Sequence, residues 1–237
     1  MQALLLAAGL GTRLRPITNT VPKCLVPIHG RPLLGYWFDL LLGSDAIDQL
    51  VVNLHYFPEA VREYVARSPW RERVNLIYEE SLLGTGGTVL ANERFFGAGA
   101  FMVVHADNLS KFDVRAYLEA HARRPAGCVM TMLTFPTDHP QSCGIVELDE
   151  SGIVIGFHEK VANPPGNLAN GAVYIFEPEI LTFLRRLGKP VIDISTEVLP
   201  AFMGHIATFR NDIYHRDIGT PESLRAAEIE FTEFARG

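Results

Sequence analysis

Apolar residues fall along this chain in short blocks, and the spacing within the blocks changes along its length. Residues 2–7, 49–54, 74–78 and 101–104 are compact apolar runs, which predicts strands buried on both faces. Leu33, Leu34, Trp37, Leu40 and Leu41 recur at helical spacing behind Pro32, which predicts a helix over 32–42. Residues 59–66 and 114–123 read as further helices, the second stopped by Arg124-Pro125-Ala126-Gly127. Gly84-Thr85-Gly86-Gly87 reads as a loop that leads into a helix from Thr88 to about Arg94. Strands alternating with helices predict an α/β fold with a mixed, mostly parallel sheet flanked by helices.

Beyond residue 126 the pattern changes. Residues 128–134 read as a strand. Residues 145–148 and 153–157 flank Asp149-Glu150-Ser151-Gly152, the signature of a β-hairpin. A strand over 172–176 and a helix over 178–186 follow. Residues 221–235 read as a last helix, with Thr220 as its N-cap and Glu222 in its first turn. With no repeat and no long linker, residues 1–237 read as a single domain whose halves, 1–125 and 126–237, differ in pattern.

Composition narrows the function classes. Of 237 residues 48% are hydrophobic and 20% charged, enough for a sizeable core and unlike a disordered chain. Twenty-one basic and 27 acidic residues give a net charge of −6, which excludes a general affinity for nucleic acid or anionic membranes. No run of 18 apolar residues predicts a membrane span. The first residues lack the basic segment of a secretory leader. Cys24, Cys128 and Cys143 are odd in number and far apart, which argues against disulfides and a cysteine zinc site and fits a reducing cytoplasm.

The candidate chemistry begins at Leu6-Ala7-Ala8-Gly9-Leu10-Gly11-Thr12-Arg13-Leu14-Arg15-Pro16. A glycine turn after a buried strand brings backbone N–H groups to a bound anion. A dinucleotide fingerprint starting at Gly9 fails at Leu14, and a P-loop fails at Leu14 and Arg15. Lys23 follows in Val21-Pro22-Lys23-Cys24-Leu25-Val26-Pro27-Ile28. Two cations near a glycine turn suit a polyphosphate. Each segment alone reads equally as an ordinary turn and a solvated lysine. Asp107 follows an apolar strand, where an open parallel sheet presents its ligand crevice, and a carboxylate there is a natural Mg²⁺ ligand.

Together these two segments resemble the opening of the sugar nucleotidyltransferases, the nucleoside-diphosphate-sugar pyrophosphorylases. The resemblance continues through Leu83-Gly84-Thr85-Gly86-Gly87, Ala106-Asp107-Asn108, Phe157-His158-Glu159-Lys160, Asn170-Gly171-Ala172-Val173-Tyr174 and Asp217-Ile218-Gly219-Thr220-Pro221, in order. It implies a Rossmann-like nucleotidyltransferase fold, with residues 1–125 as the nucleotide-binding half and 126–237 as the sugar-binding half. It also implies a reaction of a nucleoside triphosphate with a sugar 1-phosphate to give a nucleoside-diphosphate sugar and pyrophosphate. A sugar phosphate is already a nucleophile, so the chemistry needs cations and positioning rather than a general base.

The resemblance assigns Arg13 to the leaving pyrophosphate and Lys23 to phosphate near the reacting centre. Ala8, Gly9, Gly11, Gly86 and Gly87 would contact the nucleotide, and Asp107 and Asp217 would share Mg²⁺. Lys160 would meet the sugar phosphate, while Glu159 and Asn170 would bind the sugar. His105 and Ala106 depart from the residues common before the first aspartate, and Val161 stands where proline is frequent. Glu80 is the candidate for the base edge, because a carboxylate accepts both the N1–H and N2–H₂ donors of guanine and uracil offers one donor. That points to GTP, and Leu-Gly-Thr-Gly-Gly resembles guanylyltransferases acting on mannose or manno-heptose 1-phosphate. Uridylyl or thymidylyl transfer to a hexose or amino-sugar 1-phosphate stays open, as does a catalytically silent subunit that binds the product. A homodimer is the default assembly.

Overall fold

The computed structural model describes residues 1–233. In the first half the elements run β1 (Gln2–Leu6), β2 (Pro27–Ile28), β3 (Arg31–Pro32), α1 (Leu33–Leu42), β4 (Gln49–Leu54), α2 (Pro58–Arg67), β5 (Val74–Tyr78), α3 (Gly84–Ala91), α4 (Glu93–Phe96), β6 (Phe101–His105), β7 (Asn108–Lys111) and α5 (Val114–Ala122). The second half contributes β8 (Met130–Pro136), β9 (Gly144–Leu148), β10 (Val154–Glu159), β11 (Leu168–Phe176), α6 (Pro178–Arg186), α7 (Leu199–Ala201), β12 (Ile206–Arg210), β13 (Tyr214–Asp217) and α8 (Pro221–Glu230).

One nine-stranded sheet runs through both halves in the order β10-β9-β11-β6-β1-β4-β5, with β8 pairing β11 and β12. Strands β6, β1, β4 and β5 are parallel. Strand β11 turns the sheet antiparallel, against β6, β8 and β9. The α/β architecture with helices over the sheet matches the sequence expectation. The continuous apolar runs have a direct cause, since both faces are covered. Ala3 and Leu5 enter a core with Trp37, Phe38 and Leu41, while Leu4 enters the opposite core with Phe101, Val103 and Phe176. Each fully buried large side chain contributes about 1.5–3 kcal/mol of hydrophobic stabilisation.

Several elements differ from expectation. Gly84 to Gly87 form the first turn of α3 rather than a loop, and that helix ends at Ala91, before Asn92 and the short α4. Glycine disfavours helix by intrinsic propensity, but here tertiary contacts prevail. The N–H groups of Gly86 and Gly87 donate to the Ile192 carbonyl at 2.8 and 3.2 Å. Strand β11 begins four residues before the predicted 172, so Asn170 lies inside it. The ribbons β2–β3 and β7–β13, and strand β12, are too short or too polar to be read from hydrophobic pattern. Thr220 caps α8 as expected, its hydroxyl accepting from the Ser223 N–H at 3.2 Å. Helix α8 ends at Glu230 and continues as a 3₁₀ turn over Phe231–Glu233. The predicted continuation from 234 lies outside the described residues. Among those residues, no helix is long and apolar enough to cross a membrane.

Candidate active site

Strand β6 ends at His105, and Ala106 donates its N–H to the Leu6 carbonyl at 3.1 Å, which leaves Asp107 at the carboxyl end of the parallel sheet. The next residues form β7, which pairs antiparallel with β13 so that Asn108 faces Asp217. The Ile218 N–H donates to the Asp107 carbonyl at 3.2 Å. The buried Trp37 indole of α1 fixes this ribbon by donating to the Asn108 carbonyl at 2.8 Å. Two aspartates 110 positions apart in sequence are thereby brought together.

Lys23 lies between them. Its Nζ is 2.7 Å from Asp107 Oδ2 and 3.4 Å from Asp217 Oδ1, and its side chain is only 7% exposed. Arg13 stands on the other side of Asp217, its guanidinium 3.6 Å from Oδ2. Gly219 leaves space for this approach, since a Cβ there would lie 2.5 Å from Asp217 Oδ2 and 3.0 Å from the Arg13 guanidinium. Burial pushes the Asp107 carboxyl up, but the Lys23 charge and hydrogen bond outweigh it and hold the group below the usual carboxylate range. Among the described residues no cluster of three acidic, histidine or cysteine ligands could hold a metal. A carboxylate pair suits a hard divalent cation such as Mg²⁺, which takes one or two carboxylates and draws its remaining ligands from phosphates and water.

The glycine loop divides its tasks. Ala8 and Gly9 line a cleft together with Ala7, Lys23, Asp107 and the start of α3. A Cβ on Gly9 would meet nothing within 4 Å, so its backbone is open to a ligand. Gly11 does not line this cleft. It closes the turn at φ 62°, where its carbonyl accepts from the Thr18 hydroxyl at 2.7 Å and an added Cβ would lie 3.1 Å from Lys23 Cβ. Gly11 therefore couples the Arg13 turn to Lys23.

On the far wall of the cleft the structure places Glu79, and not Glu80. Glu79 extends the β5 ladder by donating its N–H to the Leu54 carbonyl at 2.9 Å, so it faces inward and Glu80 outward. Glu79 is 7% exposed and lines the cleft. Its Oε1 accepts from Thr88 at 2.7 Å and from Asn53 at 3.2 Å, while Oε2 is buried without a partner among the described residues. Asn53 also accepts the Ala7 N–H at 2.7 Å, tying the glycine loop to the Glu79 wall. Gly86 and Gly87 do not line the cleft. A Cβ on Gly86 would lie 2.8 Å from Ile192 Cγ2, and one on Gly87 would strike the Pro190 carbonyl. Their smallness serves helix packing, and Gly84, Thr85 and Thr88 form the wall.

His105 also lines the cleft. Its Nε2 is buried without a partner among the described residues, and its ring meets Tyr174 edge-on with centroids 6.2 Å apart. Burial keeps it neutral by lowering its pKa. Asn53, Glu79 and Thr88 were missed in the sequence. The available signal was a single polar residue, Asn53, inside the apolar run 50–54.

A second cleft opens on the other side of the aspartates. Arg13, Asp217, His215 and Arg216 line it, with Thr220 and Ser223 at the start of α8 and the loop from Pro136 to Cys143 opposite. His215 is partly buried against Phe135, ring centroids 4.2 Å apart, and desolvation drives its pKa down to about 3. Glu159, Lys160 and Asn170 do not line either cleft. Lys160 pairs with Glu159 at 3.0 Å, and a Cβ on Gly144 would lie 2.7 Å from Glu159 Oε2. Asn170 spends both ends of its amide within β11, accepting the Ala172 N–H at 2.9 Å and donating to the Tyr174 hydroxyl at 2.7 Å.

A glycine loop at the ends of parallel strands, two cations and a carboxylate pair between two clefts give this α/β fold a site suited to phosphate. Residues 2–233 match the nucleotidyl transferase family, and the chain belongs to it. It is 30% identical over 239 residues to the D-glycero-alpha-D-manno-heptose 1-phosphate guanylyltransferase of Aneurinibacillus thermoaerophilus, covering 99% of this chain and 100% of that protein. It is 36% identical over 181 residues to the glucose-1-phosphate thymidylyltransferase of Streptomyces griseus, covering 76% of this chain and 50% of the relative. Other curated relatives are also longer, and the chain spans 63% of a guanyltransferase from Sulfolobus acidocaldarius and 51% of a uridylyltransferase from Synechocystis. The crystal structure of HddC from Yersinia pseudotuberculosis complexed with GMP-PN superposes with a TM-score of 0.81 at 25% identity, covering 98% of this chain and 99% of that one.

Proposed function

We propose that this chain transfers a nucleotidyl group from a nucleoside triphosphate to a sugar 1-phosphate, releasing pyrophosphate, and that its pair of substrates is GTP and a mannose or manno-heptose 1-phosphate. The observation that carries the reading is the convergence of two clefts on Asp107 and Asp217. The nucleotide occupies the cleft of Ala8, Gly9 and Glu79, with its terminal phosphates directed to Arg13, and the sugar phosphate enters past the loop from Pro136 to Cys143, on the side of the second cleft away from Arg13. The Glu79 carboxylate has one oxygen unpaired and is the acceptor assigned to the N–H edge of guanine. The names of the full-length heptose relative and of the GMP-PN complex support the same base.

Both substrates are anions, so the residues act by placing charge and fixing geometry. Lys23 neutralises phosphate at the reacting centre and Arg13 the departing pyrophosphate. Asp107 and Asp217 would hold Mg²⁺, which when bound offsets charge on the phosphate oxygens. The backbone of Ala8 and Gly9 holds the nucleotide while the sugar phosphate attacks in line. Glu159, Lys160 and Asn170 remain assigned to the sugar, reached by movement of the exposed Lys160 side chain. Three free cysteines support a reducing, cytoplasmic setting.

The test is pyrophosphate release with Mg²⁺ across GTP, UTP, dTTP, CTP and ATP, crossed with mannose, manno-heptose, glucose, galactose and N-acetylglucosamine 1-phosphates. A dominant signal with GTP and a manno-configured sugar is expected. Dominance of UTP or dTTP would discard the role given to Glu79, and silence across the matrix would favour a subunit that only binds the product.

A further inference from the structure

The place between the two aspartates, where a shared cation would sit, is taken by a lysine. Lys23 Nζ contacts a carboxylate oxygen of each, at 2.7 and 3.4 Å. The stem of this lysine has little freedom. Its carbonyl accepts the Val26 N–H at 3.1 Å, Gly11 lies so near that an added Cβ would be 3.1 Å from its Cβ, and Pro22 restricts the backbone before it. Only the ammonium end can move. With Arg13 beside Asp217, the two carboxylates are already matched by two cations. A divalent ion arriving alone would add uncompensated positive charge and compete for the same oxygens. A triphosphate changes the balance, because it brings negative charge and gives both cations other oxygens to bind.

We propose that Lys23 is the resident counter-ion of Asp107 and Asp217, that it excludes divalent metal from the nucleotide-free protein, and that transfer of its ammonium to the incoming phosphates opens the pair to metal. The proposal rests on the reading of these aspartates as the metal pair. Metal and nucleotide binding are then coupled through one side chain, and each raises the affinity for the other. Lys23 thus has a positioning role before it meets the phosphate.

The experiment titrates the full chain with Mn²⁺, following free ion by electron paramagnetic resonance. Wild type, Asp107→Asn, Lys23→Met, and Lys23→Met combined with Asp107→Asn are compared without nucleotide and with a non-hydrolysable GTP analogue. Without nucleotide, Lys23→Met is expected to bind Mn²⁺ about tenfold or more tightly than wild type, as one opposing charge is removed. The second substitution should abolish the gain, and with the analogue present wild type should take up Mn²⁺ beyond the amount the analogue binds without protein. Equal or weaker Mn²⁺ binding by Lys23→Met overturns the lysine's role. If Mn²⁺ binding with the analogue is still lost in Asp107→Asn, the metal pair itself stands. A gain that survives Asp107→Asn overturns the metal pair instead. Lys23→Gln repeats the comparison with a polar side chain should Lys23→Met fail to fold.

Discussion

The two clefts that meet at Asp107 and Asp217 are built in different ways. On the nucleotide side, the wall is made of strand ends and the first turns of α3, and its polar groups are tied together. Ala7 is held by Asn53, and Asn53 and Thr88 are both held by Glu79. On the other side, the wall is the exposed loop between β8 and β9, the β13 ribbon and the start of α8. Backbone anchored in a sheet has few alternatives, so the first cleft is set before ligand arrives. A loop can change sequence without disturbing strand register, so the second cleft is where sugar preference can vary among proteins of one fold.

The largest expected effect falls where the two regions meet. Asp107→Asn should lower nucleotidyl transfer by about a thousandfold, the scale seen when one electrostatic group is removed at a reacting centre. Steady-state pyrophosphate release measures it, with circular dichroism to confirm the fold, and a rate within about tenfold of wild type would separate the clefts functionally. Next comes the rigid wall. Glu79→Gln should cost about tenfold to a hundredfold in kcat/KM for GTP, the range for losing a hydrogen bond to a charged group. Glu80→Gln should change it by less than about twofold, as a surface substitution does. Equal effects would put the base outside the cleft lined by Glu79.

Stability effects sharpen the comparison further. Gly87→Ala forces a methyl group into the Pro190 carbonyl and should destabilise by about 1–3 kcal/mol, read from the urea midpoint, without changing which nucleotide is preferred. A changed preference with unchanged stability would return Gly87 to the nucleotide side. The smallest effect concerns the seam between the halves. His121 of α5 bonds Thr131 of β8 at 2.8 Å and Glu177, just before α6, at 3.1 Å. Burial, and then the Arg124 charge, lower its pKa in the folded protein. The unfolded chain therefore takes up a proton first as pH falls through about 6.5. The stability from this site is complete above that pH and is lost below it, by at most about 1.4 kcal/mol per pH unit. Urea unfolding at pH 7 and pH 5 should show a smaller loss in His121→Gln than in wild type, and identical losses would exclude His121 as a source.

The parallel strands were readable because burial on both faces demands unbroken apolar runs, as in Leu4 and Leu5 or Met102 to Val104. The hairpin was readable because Asp149 and Gly152 carry its turn, the Asp149 carboxylate accepting the Ser151 and Ile153 N–H groups. The start of α3 was misread because its glycines are explained by the Pro190–Ile192 segment, about a hundred residues away.

By itself, the sequence determined the alternation of strands and helices, the glycine loop with Arg13 and Lys23, and the presence of Asp107 and Asp217 in a recognisable order. These are local properties, set by periodicity, turn chemistry and contiguous motifs. Which of two adjacent glutamates faces the cleft was decided only when Glu79 joined the ladder beside Leu54. That Lys23 bridges both aspartates was decided only when β7 and β13 paired. Both outcomes depend on contacts between distant segments, and strand register, which a shift of one residue would invert, settles them in the folded chain.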